Sequence, residues 1–172
     1  AIDSLLKKEK TLPLSLIVNP KNMEPRDTES PLVYQMETAM GSLVSAFPNS
    51  SLVLVPRSRF LPVKTTSDLL PIMSDRYCLD EDMCIIPAQG CDNRPIQVRL
   101  DPTHYKNIDS FQKRFADGVP SLKDCFSLTI EGDVRWGESC LCRGEVKLIA
   151  AYENEQYIPA NTTLEGSITL RG

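Results

Sequence analysis

From Leu128 onward an apolar side chain returns every six residues, at Leu128, Val134, Cys140, Val146, Tyr152, Ile158, Leu164 and Leu170. A second track follows two residues behind, at Ile130, Trp136, Cys142 and Leu148. An α-helix returns a side chain to one face every three or four positions, so it does not explain a period of six. The period fits a hexapeptide repeat, in which each unit is one flat side of a triangular coil and three units close a turn. Gly132, Gly137, Gly144 and Gly166 fall between the tracks, where such a chain must turn sharply. Glu153 to Gln156 is polar and breaks the second track, so it is expected to loop out of the coil. A plain β-meander with fortuitous spacing is the alternative.

Upstream of the repeat the texture is different. Ala1, Ile2, Leu5 and Leu6 recur at helical spacing, and Leu12 to Val18 is a compact apolar run that stops at Asn19-Pro20, which predicts a helix and then a buried strand. Val33, Met36, Met40, Leu43, Val44 and Phe47 predict one face of a helix of about four turns. Leu52 to Val55, β-branched and apolar until Pro56 interrupts it, predicts a further strand. Thr65-Thr66-Ser67-Asp68 is suited to capping a helix over Asp68 to Tyr77. This alternation describes the edge of an α/β sheet whose other strands lie upstream. From Cys78 to Pro95 periodicity gives way to acidic and turn residues, so a domain junction is expected there, dividing 1–90 from 91–172. A strand at Ile96 to Leu100 and a helix from Ile108 to Phe115 lead into the repeat.

Charge and composition exclude some functions. The formal net charge of −4 argues against a nucleic-acid surface, which needs clustered Lys and Arg. The longest apolar runs fall well short of the roughly 20 residues that span a bilayer, so no membrane association is expected. Six cysteines without a secretory signal suggest reduced thiols and a cytoplasmic location. The triplets at Asn49 and Asn161 are then fortuitous glycosylation matches.

Lys64 follows an apolar run and precedes the capping residues, so it should emerge at a strand's end beside a helix N-terminus. Unpaired backbone N–H groups there attract anions, and an ammonium adds a mobile point charge. The commoner meaning of such a context is a surface lysine beside an ordinary helix cap. Cys140 and Cys142 are spaced like thiolate ligands, but zinc needs four well-placed ligands and the chain has one histidine, so they are expected to fill the coil and no metal site is assigned. His104 precedes the repeat, where it cannot serve as the base that acyltransferases carry within their coils; it is expected in a solvent-facing loop.

The segment Val55-Pro56-Arg57-Ser58-Arg59-Phe60-Leu61-Pro62-Val63-Lys64-Thr65-Thr66-Ser67-Asp68-Leu69-Leu70 resembles a signature of eukaryotic-type UDP-glucose pyrophosphorylases, the UTP–glucose-1-phosphate uridylyltransferases. Ile17-Val18-Asn19-Pro20-Lys21 and Gln35-Met36-Glu37-Thr38-Ala39-Met40-Gly41 resemble two further segments of that family, in the family's order. Gly118 to Leu122 and Leu128 to Val134 resemble the entry to its C-terminal β-helix. Pro71 departs from the pattern; it is expected in the first turn of the helix, where it would shift the helix start.

The resemblance implies an α/β region followed by β: the C-terminal edge of a nucleotidyltransferase Rossmann-like sheet over 1–90, then a small left-handed parallel β-helix within 91–172. It implies attack of glucose 1-phosphate on the α-phosphorus of UTP, release of pyrophosphate and formation of UDP-glucose. Lys64 inherits a catalytic and substrate-binding role beside the reacting phosphates, and Asn19, at a strand end, a contact to the sugar. The family's Gly-rich nucleotide loop and its Mg²⁺-holding aspartate are not found here, so Mg²⁺ is expected to be held outside this chain and the chain alone to be inactive. Arg57, Arg59 and Lys21 are expected to make structural pairings, and Glu37 to support its neighbours from a helix. Two other readings stay open: a UDP-sugar pyrophosphorylase of broader specificity, and a non-catalytic β-helix assembly module. A monomer is favoured over an oligomer built through the β-helix, because the short run after Leu164 and the charge of Arg171 offer little to stack upon.

Overall fold

The apolar tracks form the interior of the C-terminal part of the fold. The computed structural model describes residues 2–27, 29–56, 59–91, 94–151 and 154–171. Within it Leu128, Val134, Cys140, Val146, Ile158 and Leu164 are buried, as are Ile130, Trp136, Cys142 and Leu148. Leu170 is half-buried against the same cluster, and Tyr152 lies outside the described residues. The chain divides into two compact units, Ala1–Phe60 and Leu61–Gly172.

The second unit has a mixed α/β fold built on parallel strands. It contains helix α2 (Thr66–Met73), a hairpin of β3 (Tyr77–Leu79) and β4 (Ile85–Pro87), then β5 (Gln97–Leu100), α3 (Pro102–Tyr105) and α4 (Ile108–Arg114). Strands β6 (Cys125–Glu131), β7 (Val134–Trp136), β8 (Leu141–Ala150), β9 (Gln156–Ile158) and β10 (Thr163–Leu170) follow. β10, β8, β6 and β5 form one parallel sheet in that order, and β7 pairs with β9 in another. Only Gly132 and Asp133 separate β6 from β7, so the chain turns from one sheet to the other within two residues. β8 bends at Gly144 and β10 at Gly166, both at positive φ, and the ladder shifts register beside each bend. A side chain there would meet the steric penalty of the left-handed region, which glycine avoids. Ahead of the bends a third row of parallel neighbours joins Ser121, Leu141 and Thr163.

Register tests the counting by sixes directly. Leu128 lies opposite Val146 and Ile130 opposite Leu148, eighteen residues on, which is three units of six. Beyond Ala150 the count fails: Trp136 faces Ile158 and Cys142 faces Leu164, four residues further than three units reach. Gln156 is not part of a loop but the first residue of β9, opposite Val134. Glu153, at the other end of that expected loop, lies outside the described residues.

Helices α3 and α4 close the core with aromatic side chains. Phe115 stacks on Trp136 at 6.0 Å between ring centroids, and Phe111 lies 4.9 Å from Phe115. Arg76 is 2% exposed, yet its guanidinium donates to the carbonyls of Leu122, Cys125 and Arg94. Those acceptors offset the cost of taking its charge out of water. His104 is not a solvent-facing loop residue: it sits half-buried in α3, with Nδ1 3.5 Å from Asp133 Oδ2.

In the first unit α1 (Ile2–Glu9) has the expected helical spacing but no buried residue. β1 (Leu16–Asn22) pairs antiparallel with β2 (Leu32–Thr38), and a 3-10 helix follows at Met40–Ala46. The predicted four-turn helix is therefore half strand. Val33, Tyr34 and Thr38 suit a pleated surface, and β1 supplies a ladder that their apolar spacing could not reveal. Nor does β1 stop at Asn19-Pro20; it runs on to Asn22 and is exposed rather than buried. Leu52 to Val55 forms no strand, and Leu54 is 97% exposed. A strand needs a neighbour to accept and donate its backbone hydrogen bonds, and no described segment of this chain supplies one there.

Candidate functional site

Local sequence dictates the conformation around Lys64. Thr65 takes the extended geometry of an N-cap, and its hydroxyl accepts from the N–H of Asp68. Asp68 reciprocates: its Oδ2 accepts the N–H of Lys64 at 3.0 Å, the N–H of Thr65 at 2.9 Å and the hydroxyl of Thr65 at 2.8 Å. This is a capping box with aspartate at the third position, and it satisfies donors that a helix start otherwise leaves orphaned. Burial pushes the Asp68 carboxyl up, but the donations from Thr65 and Lys64 outweigh it and hold the group below the usual carboxylate range. Pro71 is not in the first turn; it lies buried inside α2, and the helix still starts at Thr66.

Two expectations about the site change. The backbone N–H groups of Lys64 and Thr65 point at Asp68, so they are not displayed for an anion. The exposed Lys64 side chain is left as the cationic group of this turn. Nor does a strand end at Lys64: residues 60–64 take no regular structure, and the backbone is held from the C-terminal side. The Thr66 hydroxyl donates to the Tyr105 carbonyl at 2.7 Å, and the Ser67 hydroxyl accepts the N–H of Leu100 at 3.2 Å. Leu70, one turn further on, is fully buried in the core.

Asn19 belongs to the first unit and Lys64 to the second. Asn19 sits mid-strand opposite Gln35, half-buried, and not at a strand end. Lys21 faces Val33 across the same ribbon. Glu37 is on β2 rather than on a helix and accepts from the Gln35 amide. Arg59 is exposed with its N–H on the Pro56 carbonyl, while Arg57 lies outside the described residues.

The cysteines divide by burial. Cys140 and Cys142 are core side chains, and the Cys140 thiol lies 3.3 Å from the Gly137 carbonyl. Burial raises both thiols, and it pushes Cys125 up to about 11. Such thiols stay protonated at neutral pH, which unfits them as nucleophiles. Among the described residues no group of three or more His, Cys, Asp or Glu side chains is placed to hold a metal ion. No described helix is long and apolar enough to cross a membrane.

Sequence reasoning named Thr66 and Ser67 only as capping residues and did not connect them to Leu100 or Tyr105. The Thr66–Tyr105 bond joins residues 39 apart, and no local pattern announces it.

Known proteins resemble the chain along its length. The family described as UTP–glucose-1-phosphate uridylyltransferase matches residues 1–143. UTP–glucose-1-phosphate uridylyltransferase 2 of Dictyostelium discoideum is 31% identical over 98% of this chain and 32% of its own length. The Solanum tuberosum enzyme is 38% identical over 81% of this chain and 28% of its own. The crystal structure of UDP-glucose phosphorylase from Trypanosoma brucei superposes with a TM-score of 0.90 at 38% identity, covering 99% of this chain and 37% of that one. A Leishmania major UDP-glucose pyrophosphorylase mutant, solved in complex with UDP-glucose, superposes with a TM-score of 0.84 at 35% identity, covering 98% of this chain and 36% of that one. The chain thus spans about a third of the length of these relatives.

Proposed function

Because this chain belongs to the UTP–glucose-1-phosphate uridylyltransferase family, we propose that the full-length protein makes UDP-glucose and pyrophosphate from UTP and glucose 1-phosphate, with Lys64 acting at the reacting phosphates. The observation that carries this reading is the exposed Lys64 on a braced turn, within a fold that superposes on UDP-glucose pyrophosphorylases over nearly its whole length.

In that reaction a phosphate oxygen of glucose 1-phosphate attacks the α-phosphorus of UTP, and the bond to the β-phosphate oxygen breaks as pyrophosphate leaves. Negative charge grows on the oxygens around phosphorus. A fixed cation lowers the barrier by meeting that charge without having to reorganise. Lys64 supplies the cation. Asn19 contacts the sugar, since its amide both donates to and accepts from hydroxyls. The uridine site and Mg²⁺ are assigned to residues outside this chain, and no step is assigned to a metal on it. The chain by itself is inactive.

We read 1–90 as the end of the catalytic domain and 91–172 as a linker and left-handed β-helix. The eighteen-residue register and three rows of parallel neighbours support the β-helix. We take the protein to be a cytoplasmic monomer. Six free thiols suit a reducing compartment, and the charged Glu165 on the edge strand β10 blunts edge pairing.

The test is pyrophosphate release by the purified full-length protein from UTP with glucose, galactose or N-acetylglucosamine 1-phosphate. Strong preference for glucose 1-phosphate is expected, comparable rates with several sugars would favour the broader pyrophosphorylase, and preference for N-acetylglucosamine 1-phosphate would overturn the assignment.

A further inference from the structure

The exposed ammonium of Lys64 hangs from a turn that has no packing of its own at residue 64. Two kinds of bond hold the turn. The capping box is internal to it and fixes its shape but not its location. Location comes from bonds to distant chain: the Thr66 hydroxyl on the carbonyl that ends α3, and the Ser67 hydroxyl under the N–H that ends β5. Both lie on the first turn of α2, within three residues of Lys64, and both reach the segment Leu100–Tyr105 that leads into the buried aromatic core.

We propose that Thr66 is a positioning residue for the reaction: its hydrogen bond to the Tyr105 carbonyl sets where Lys64 meets the reacting phosphates, with Ser67 as a second tether. The proposal rests on the role assigned above to Lys64. Catalysis tolerates little misplacement of a charge, and a shift of about 1 Å can cost orders of magnitude in rate. A half-buried hydroxyl on a backbone carbonyl is a geometric device rather than a chemical one. Its loss should therefore leave binding intact and slow turnover.

Thr66→Val in the full-length protein keeps the side-chain shape and removes the donor. Turnover is expected to fall about fivefold, the scale of one net hydrogen bond, with KM for both substrates within about twofold of the parent; Thr66→Ser restores it. In a Lys64→Ala background Thr66→Val should cost nothing further, because the residue acts through Lys64. Turnover within twofold of the parent for Thr66→Val, or the same factor lost with and without Lys64, overturns the proposal. If Thr66→Val does not accumulate folded, Ser67→Ala carries the same expectations and the same refutation. Normal turnover of Lys64→Ala itself would instead refute the role given to Lys64, so the two failures are distinguishable.

Discussion

Arg114 grips Asp133 with two parallel donations, Nε to Oδ1 at 2.7 Å and Nη2 to Oδ2 at 2.8 Å. Asp133 forms half of the two-residue corner between β6 and β7, and Arg114 ends α4, so the pair pins the helix to the corner. Arg114 also donates to the Ser110 carbonyl, and its side chain is only 9% exposed. Removing one partner leaves a buried charge uncompensated. Asp133→Ala should destabilise the protein by about 3 kcal/mol, the lower end for breaking a buried pair, as read from chemical denaturation. Replacing both residues by apolar ones of similar size should cost less than that single change.

Gly137 is fixed by crowding. A Cβ there would stand 2.6 Å from the backbone N of Ala160 and 2.8 Å from the carbonyl of Ile158. Both are backbone atoms and cannot step aside. Gly41, in the 3-10 helix, has open space around the same position. Gly137→Ala should lower Tm by several degrees, on the scale of about 2 kcal/mol for overpacking, while Gly41→Ala should leave Tm unchanged within error.

Asp101 links α3 to the same corner by accepting the N–H of Thr103 at 2.9 Å and of Gly132 at 2.8 Å. Burial pushes its carboxyl up, but these donations prevail and its pKa lies below the usual 3.8. A group whose pKa is lower folded than unfolded stabilises the protein above the unfolded value and loses that contribution as pH falls through the folded one. The stability difference between the parent and Asp101→Asn should thus be full at pH 6 and shrink as pH drops below about 4, measured by urea denaturation at each pH. A difference that stays constant to pH 2.5 would contradict this.

Lys64→Ala in the full-length protein should reduce turnover by about 10²-fold or more, the scale seen when one fixed stabiliser of developing charge is removed. Its melting temperature should not move, since the side chain is exposed. Lys64→Arg should recover little, because a planar guanidinium cannot occupy the place of a compact ammonium.

Several local sequence signals survived in the fold, although the helical spacing of Val33 to Phe47 and the apolar run Leu52 to Val55 did not. The tracks from Leu128 to Leu148 are buried, and Leu128 and Ile130 lie opposite Val146 and Leu148, so the count by sixes named the inward positions there. Thr65 and Asp68 form their capping box because a cap is made within one turn of chain. The family segments, too, could be read in order along the chain before any coordinate.

Other features depended on what the chain meets far away. Leu32–Thr38 is a strand because β1 offers it a ladder, although its apolar spacing suits a helix equally. Strand β9 is offset because extra residues before Gln156 lengthen the pairing interval from eighteen residues to twenty-two, where the count by sixes fails. Arg76 is buried only because four carbonyls from later in the chain converge on its guanidinium. Lys64 follows the same division: sequence named the residue and its cap, while its location is set by the Tyr105 carbonyl, a partner 39 residues from Thr66. Local geometry is written in short spacings, but burial and long-range hydrogen bonds exist only once distant segments have packed.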